Sequence, residues 1–337
     1  MNEPLVSVVT PFYNCAPYLA QCIESVLGQS YSQFEFILSD NCSTDGSQEI
    51  AHSYAQRDQR IRFIRQPRFL SQVQHYNRAL AEISADSAYC KMVQADDLIL
   101  PGCLQAMVKV FEQSKSIGLV SSYDLKGNTL RGSGFPFGSS FLAGKDMARL
   151  FLKRGVYVFG SPSTVMYSSS LVRAQNPFFR EGLLHEDTEK CMEILEHWDF
   201  GFVHQVLSFL RTDNESISSA VRTYQPQLLD TYIIVKRYAS TFLGPAEASD
   251  VKRESRRKYY SALAEEALQL RGPRFWRYHR EGLKTINETV DFSYLGMLVT
   301  GKLLWMACNP GTMFVWAFAR VRRVAQLARV MRSRRSK

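Results

Sequence analysis

Apolar, β-branched runs alternate along the first hundred residues with segments whose apolar positions recur at helical spacing. Leu5–Thr10 is one such run, broken at Pro11, and Phe34–Leu38 is another that ends in an Asp/Asn/Ser cluster. Short apolar runs bounded by turn residues predict buried parallel strands. Between these two, Tyr18, Leu19, Cys22, Ile23, Val26 and Leu27 share one helical face, and Gly28 stands where that helix stops. The alternation continues with a helix from about Ser47, a strand at Ile61–Arg65, a helix through Tyr76 and Leu80, a strand at Tyr89–Val93 and a helix from about Pro101. Units in this order predict an α/β fold, a Rossmann-like, mostly parallel sheet flanked by helices. Ligands of such sheets bind in the crevice beyond the carboxyl ends of the strands, where Pro11, Tyr13, Asp40, Asp96 and Asp97 fall.

After Ser218 the pattern becomes helical and predicts a C-terminal extension over 219–337. One helix begins with Leu228, Leu229, Tyr232 and Ile233. A second spans Val251 to Leu270 and is ended by Gly272-Pro273. Two apolar stretches follow, Phe292–Cys308 and Met313–Met331. Neither matches the roughly 20 clean apolar residues of a membrane span. The second sets Phe314, Phe318, Val321, Val324, Leu327 and Val330 among arginines, the pattern of a basic amphipathic helix on an anionic membrane surface. A nucleic-acid patch would need basicity without the aliphatic stripe, and a solvated tail would need neither.

Charge sharpens this division. Net charge is +9 over 337 residues, and eight of those positive charges lie in Arg320, Arg322, Arg323, Arg329, Arg332, Arg334, Arg335 and Lys337, with no acid among them. The body is nearly neutral and the basicity is a tail, so no nucleic-acid partner is expected. Met1-Asn2-Glu3-Pro4 has neither the basic n-region nor the apolar h-region of a secretory signal. Seven cysteines without a C-x-x-C pair read as reduced thiols. Together these predict a cytoplasmic protein, peripheral on the inner face of the membrane. The sequons at Asn41, Asn214 and Asn287 read as chance, because a glycan on Asn41 would fill the crevice.

The strand-end carboxylates suggest chemistry. Asp40 can accept a hydrogen bond from a pyrimidine N–H, with Pro11, Phe12 and Tyr13 as an apolar wall; it can equally close an Asx-turn. Asp45 fits either a ligand contact or a cap for the helix near Ser47. Asp96 and Asp97 suit a hard divalent ion such as Mg²⁺ or Mn²⁺, or simply an acidic loop before a helix. Glu186 and Asp187 precede an amphipathic segment, Cys191, Ile194, Leu195 and Trp198, where Asp187 would make a good N-cap for a helix starting at Thr188.

Taken together, Val6-Ser7-Val8-Val9-Thr10-Pro11-Phe12-Tyr13-Asn14, Ser39-Asp40-Asn41-Cys42-Ser43-Thr44-Asp45, Ala95-Asp96-Asp97 and His185-Glu186-Asp187 resemble the family-2 glycosyltransferases, enzymes of the GT-A fold, from about Leu5 to about Ser218. The resemblance implies an inverting, metal-dependent glycosyltransferase whose residues 1–97 bind a nucleotide-sugar and whose residues 98–218 bind the acceptor. It implies nucleotide contacts from Pro11, Phe12, Tyr13, Asp40, Asn77, Asp96 and Arg211, a metal site of Asp97 and Asp96, and Asp187 as general base. Asp213 stands at a position where relatives carry His and can serve as a further oxygen ligand. Three departures are visible: Asn41 and Cys42 where Asp-Asp-Gly-Ser is usual, Gln94 at the first position of the Asp-x-Asp motif, and Tyr76 where an Arg is frequent, with Arg68 or Arg78 as substitutes.

The implied donor is a UDP-sugar, and the implied acceptor a membrane-linked glycan or lipid-linked oligosaccharide. Transfer to a polyprenyl phosphate is the nearest alternative, and a non-catalytic nucleotide- or sugar-binding module the alternative of another class. Gly132-Ser133-Gly134 with Gly138 lacks the G-x-G-x-x-G spacing and reads as a loop. Phe135-Pro136-Phe137 and Gly160-Ser161-Pro162-Ser163 fall in the family's acceptor segment, with core packing as the default reading.

Overall fold

A computed structural model describes residues 3–182, 186–212 and 224–309. Its first unit carries ten strands: β1 (Val6–Phe12), β2 (Phe34–Asp40), β3 (Ile61–Arg65), β4 (Tyr89–Met92), β5 (Leu98–Ile99), β6 (Ile117–Lys126), β7 (Thr129–Arg131), β8 (Phe141–Leu142), β9 (Met166–Ser168) and β10 (Asp199–Leu210). Among the described residues they form one sheet in the order β3-β2-β1-β4-β9-β6-β10-β5, with β7 on β6 and β8 on β10. The pairs β2–β3, β1–β2, β1–β4 and β6–β10 are parallel, whereas β9 lies antiparallel between β4 and β6. The sheet is mixed but mostly parallel, and it is flanked by α1 (Ala16–Leu27), α2 (Ser47–Arg57), α3 (Gln72–Leu80), α4 (Cys103–Phe111), α5 (Gly144–Arg154), α6 (Ser169–Ala174) and α7 (Glu186–Ile194).

The core explains the apolar runs. Val6, Val8, Phe36 and Leu38 are buried in one cluster with Leu19, Ile23 and Val26 of α1 and Leu104 and Met107 of α4. Each such side chain contributes about 1.5–3 kcal/mol of burial. The first strand continues through Pro11 to Phe12, two residues past its expected end. Pairing with β4 stops at Val9↔Met92, so the missing Pro11 N–H falls where β4 offers no partner, while Pro11 and Phe12 keep their register with Ser39 and Asp40 of β2.

The C-terminal helices are α8 (Pro226–Phe242), α9 (Pro245–Leu268), α10 (Pro273–Lys284) and α11 (Phe292–Cys308). All but the last start on Pro, whose absent N–H is not needed in a first turn. Gly272-Pro273 was read as a stop; it also starts α10, whose buried side is Phe275, His279, Gly282 and Leu283. The chain divides into a unit of Met1–Arg222 with Arg237–Ala248 and a unit of Thr223–Lys236 with Ser249–Lys337. No described helix is long and apolar enough to cross a membrane. The Met313–Met331 stretch, His185 and Asp213 lie outside the described residues.

Candidate active site

The sheet order places the carboxyl ends of β3, β2 and β1 side by side, with Asp40 in the middle. Asp40 is fully buried at the last position of β2. Its Oδ1 accepts from the Ser43 N–H at 2.9 Å, which is the expected turn closure. Its Oδ2 is buried with no hydrogen-bond partner. A buried carboxylate oxygen left without a donor is costly, and a ligand N–H would remove that cost.

Aromatic rings flank this position. Tyr13 follows β1 and Phe69 follows β3, and their rings meet edge to face with centroids 4.9 Å apart, 48% and 60% exposed. Strands two apart in a sheet are separated by roughly 9–10 Å. The two rings therefore lean toward each other across the end of β2. Asn41 holds the second wall: its Nδ2 donates to the Leu70 carbonyl and its Oδ1 accepts from the Leu70 N–H, both at 2.9 Å. The departure from Asp at this position thus has a structural use, since a carboxylate could not donate. The buried, occupied amide also rules out a glycan at Asn41. Asp45 serves helix starts, accepting from Ala16 N–H at 2.9 Å and from the Ser47 hydroxyl at 2.6 Å. Desolvation opposes ionisation there, but these donors outweigh it and hold the carboxyl below its ordinary value.

The adjacent acids after β4 are unequal. Asp97 is buried, its Oδ2 accepting from Ser163 Oγ at 2.6 Å and its Oδ1 from the Arg211 N–H at 3.3 Å. Asp96 is only half-buried. Burial first, and the charge of Asp96 second, push the Asp97 carboxyl up to about 7 against those two donors. Gln94 turns away from ligand duty: its Nε2 donates to the Tyr76 hydroxyl at 2.8 Å.

The loop at 159–164 links these acids to Asp187. Ser163 Oγ accepts from the Gln94 N–H at 2.9 Å, and its carbonyl accepts from the fully buried Lys91 Nζ at 2.8 Å. Burial lowers the proton affinity of Lys91. Thr164 Oγ1 donates to Asp124, which Arg131 pairs at 2.7 Å. Gly160 sits at φ +71°, and a Cβ there would fall 2.5 Å from Thr164 Cβ, so the turn needs glycine. Tyr157 donates to the Gly160 carbonyl at 2.8 Å and shares a 2.9 Å hydrogen bond with Thr188 Oγ1.

Among the described residues helix α7 already includes Glu186, so Asp187 lies within its first described turn rather than before a helix beginning at Thr188. Its Oδ1 accepts from the Thr188 N–H at 2.7 Å. Electrostatic reach connects the strings. The Cys15 thiol is pushed up to about 12, by burial first, with the charges of Asp45, Asp96 and Asp40 adding to it. Burial, then Glu186, and more weakly Asp96, raise the Tyr76 hydroxyl. Asp45, Asp96 and Asp40 thus lie within electrostatic reach of Cys15, and Glu186 and Asp96 within that of Tyr76.

Two expected ligand contacts have other occupations. Both ends of the Asn77 amide are taken by the Phe179 peptide, with Nδ2 donating to its carbonyl at 2.8 Å and Oδ1 accepting its N–H at 2.7 Å. Asn77 clamps the Phe179 peptide. The Arg211 guanidinium bonds Gln21 and lies 5.2 Å over the Tyr18 ring, with Nε buried and unpartnered. Lys91 and Asp124 stand outside the residues expected from the sequence, although Lys91 is a charge inside an apolar run, and Ser163 entered only as part of the 160–163 acceptor segment.

Among the described residues no three His, Cys, Asp or Glu side chains cluster as a complete metal cage. A hard ion that keeps waters and takes phosphate oxygens needs only one or two carboxylates. Asp96 and Asp97 fit that requirement, and the raised Asp97 carboxyl marks a place where added positive charge is favourable.

Known proteins align with this architecture. The profile described as Glycosyl transferase family 2 matches residues 7–174. An uncharacterized glycosyltransferase, MJ1057, of Methanocaldococcus jannaschii is 32% identical over 189 residues, 52% of this chain and 63% of that protein. This chain therefore spans less than two thirds of that relative. The structure is similar to that of S. aureus TarS 1–349 in complex with UDP-GlcNAc, with TM-score 0.61 and 17% identity over 83% of this chain and 80% of that one. It is also similar to the mannosyltransferase PcManGT of Pyrobaculum calidifontis in complex with GDP-Man and Mn²⁺, with TM-score 0.52 and 14% identity over 90% and 88%. The fold is that of the GT-A glycosyltransferases. The chain belongs to glycosyltransferase family 2.

Proposed function

We propose that this chain transfers a sugar, with inversion, from a nucleoside-diphosphate donor, best a UDP-sugar, to a hydroxyl of a membrane-linked glycan or lipid-linked oligosaccharide in polysaccharide or glycolipid biosynthesis. The observation that carries the reading is the buried Oδ2 of Asp40, without a hydrogen-bond partner among the described residues, at the end of β2 between the strands that lead to Tyr13 and Phe69. A pyrimidine ring presents a flat apolar face to such rings and an N–H to such an oxygen. Pro11 and Phe12 support the base from β1.

Asp96, the more open of the two acids, and Asp97 would hold Mn²⁺ or Mg²⁺, with Asp213 as a further ligand. When bound, the ion offsets the charge of the departing diphosphate. Ser163 and the Arg211 N–H fix Asp97, and the Arg211 guanidinium, which bonds Gln21 in the ligand-free fold, would turn to the diphosphate. On the acceptor side Asp187 takes the hydroxyl proton as the new bond to the anomeric carbon forms, because an alcohol is far too weak an acid to ionise beforehand. Thr188 and Tyr157 hold the Asp187 end of α7 against the Gly160 turn. The basic C-terminal segment would keep the enzyme on the anionic cytoplasmic membrane face.

Release of nucleoside diphosphate from a panel of donors, with lipid-linked glycan acceptors, tests this. Turnover should fall by about 10²–10⁴-fold in Asp187→Asn while donor affinity is retained. Undiminished turnover in that variant would overturn the assignment of the base and favour an acceptor that is already anionic, such as a polyprenyl phosphate.

A further inference from the structure

Helix α11 is apolar around its whole circumference and open to solvent around most of it. Lys302 is the sole charged residue among its seventeen, and Leu295 the one buried side chain. Phe292, Met297, Leu303, Leu304 and Trp305 are 50–66% exposed. A helix hydrophobic on all sides belongs in a core or in lipid, and an open apolar surface of this kind marks an interaction site.

The helix is nonetheless anchored. The Asp291 side chain caps it, accepting from the Tyr294 N–H at 2.9 Å. Arg256 of α9 bonds Asp291 at 2.6 Å and lies 4.3 Å over the Tyr294 ring, and Lys302 donates to Glu265 of α9 at 2.8 Å. Seventeen residues reach about 26 Å, short of the roughly 30 Å hydrocarbon core of a bilayer.

Charge in the same unit identifies the occupant. Helix α10 buries Phe275, His279 and Leu283 and exposes four cations, Arg274, Arg277, Arg280 and Lys284, against one acid, Glu281. These four make no ion pair among the described residues. The sequence beyond α11 adds eight cations and no acid. An anionic bilayer offers both an apolar layer and a counter-charge, which neither a second copy of this basic chain nor its own basic end supplies.

We infer that α11 is the element that enters the headgroup–acyl boundary of an anionic membrane, and that the open cations of α10 supply the electrostatic attraction. This deepens the membrane-partner reading given above and is independent of the donor chemistry.

The full chain should be sedimented with vesicles of phosphatidylcholine, with and without phosphatidylglycerol, beside Leu304→Glu/Trp305→Glu and Arg274→Glu/Arg277→Glu/Arg280→Glu. All five positions are solvent-exposed, so the fold survives, and nucleotide binding checks it. The apolar variant should lose about tenfold or more in vesicle affinity at every salt concentration. The charge variant should lose up to about fivefold per reversed residue, only on anionic vesicles and only at low salt. Unchanged vesicle binding of the apolar variant would overturn the inference. So would an apolar variant that converts a dimer to a monomer in light scattering while vesicle binding persists. Absence of nucleotide binding in the unaltered chain would count against the donor site alone.

Discussion

Ser163 Oγ donates a 2.6 Å hydrogen bond to Asp97 Oδ2 while accepting the Gln94 N–H at 2.9 Å, so one hydroxyl sets both ends of the acidic motif. Replacing it by alanine removes a donor that stabilises the Asp97 carboxylate. Its proton affinity should rise further above about 7, and the acid limb of the pH–rate profile should move to higher pH, with kcat/KM about tenfold lower at neutral pH. Ser163→Thr should recover part of the loss, and an unmoved acid limb would refute the role.

Asp97 also links stability to pH. In the metal-free fold its carboxyl titrates near 7, above the ordinary carboxylate value of about 3.9 in an unfolded chain. Between those values the folded state keeps a proton that the unfolded chain has released, so rising pH removes stability over that window. The difference in stability between Asp97→Asn and the unaltered chain, followed by denaturant titration from pH 4 to 8, should shift in favour of the variant by up to a few kcal/mol. Added Mn²⁺ should restore the unaltered chain at the alkaline end. A flat difference would contradict the assignment.

The Asn41 clamp and the Tyr13–Phe69 pair should act as one device. Phe69→Ala should weaken nucleotide binding by about 5- to 100-fold, with kcat nearly unchanged, because a half-exposed ring gives stacking rather than fold stability. Asn41→Ala releases Leu70 and should cost less than that. The double variant should lose less than the two single losses combined, as a thermodynamic cycle in calorimetry would show.

Asn77 should behave differently from a ligand contact. Asn77→Ala strands the Phe179 N–H and carbonyl and should lower stability by about 1–3 kcal/mol. Donor affinity should stay within about threefold. A large affinity loss without loss of stability would restore the ligand role that the sequence suggested.

Much of the nucleotide half was legible in sequence because parallel strands buried on both faces read as continuous apolar runs, and Asp40 and Asp96-Asp97 fall just where those runs end. Strands β6 and β10, long as they are, stand outside the strands expected from the sequence, and β5, β7, β8 and β9 were not legible. The last four have a common reason. These four are two or three residues long and exist through pairing with other strands. The uses of Asn41, Asn77 and Ser163 were hidden for the same reason, since each bonds a residue far along the chain. Asp187 lies inside α7 and not ahead of it, because it satisfies both cap and first-turn preferences, which local sequence does not separate.

The most direct measurement is calorimetric binding of UDP, GDP and dTDP, with and without Mn²⁺, to the unaltered chain and to Asp96→Ala and Asp97→Ala. The account predicts that UDP binds best, that Mn²⁺ tightens it, and that both variants lose the metal enhancement. If no nucleotide binds under any condition, the donor site built on Asp40 and the two acids is contradicted, and a membrane-bound sugar-binding module becomes the better description.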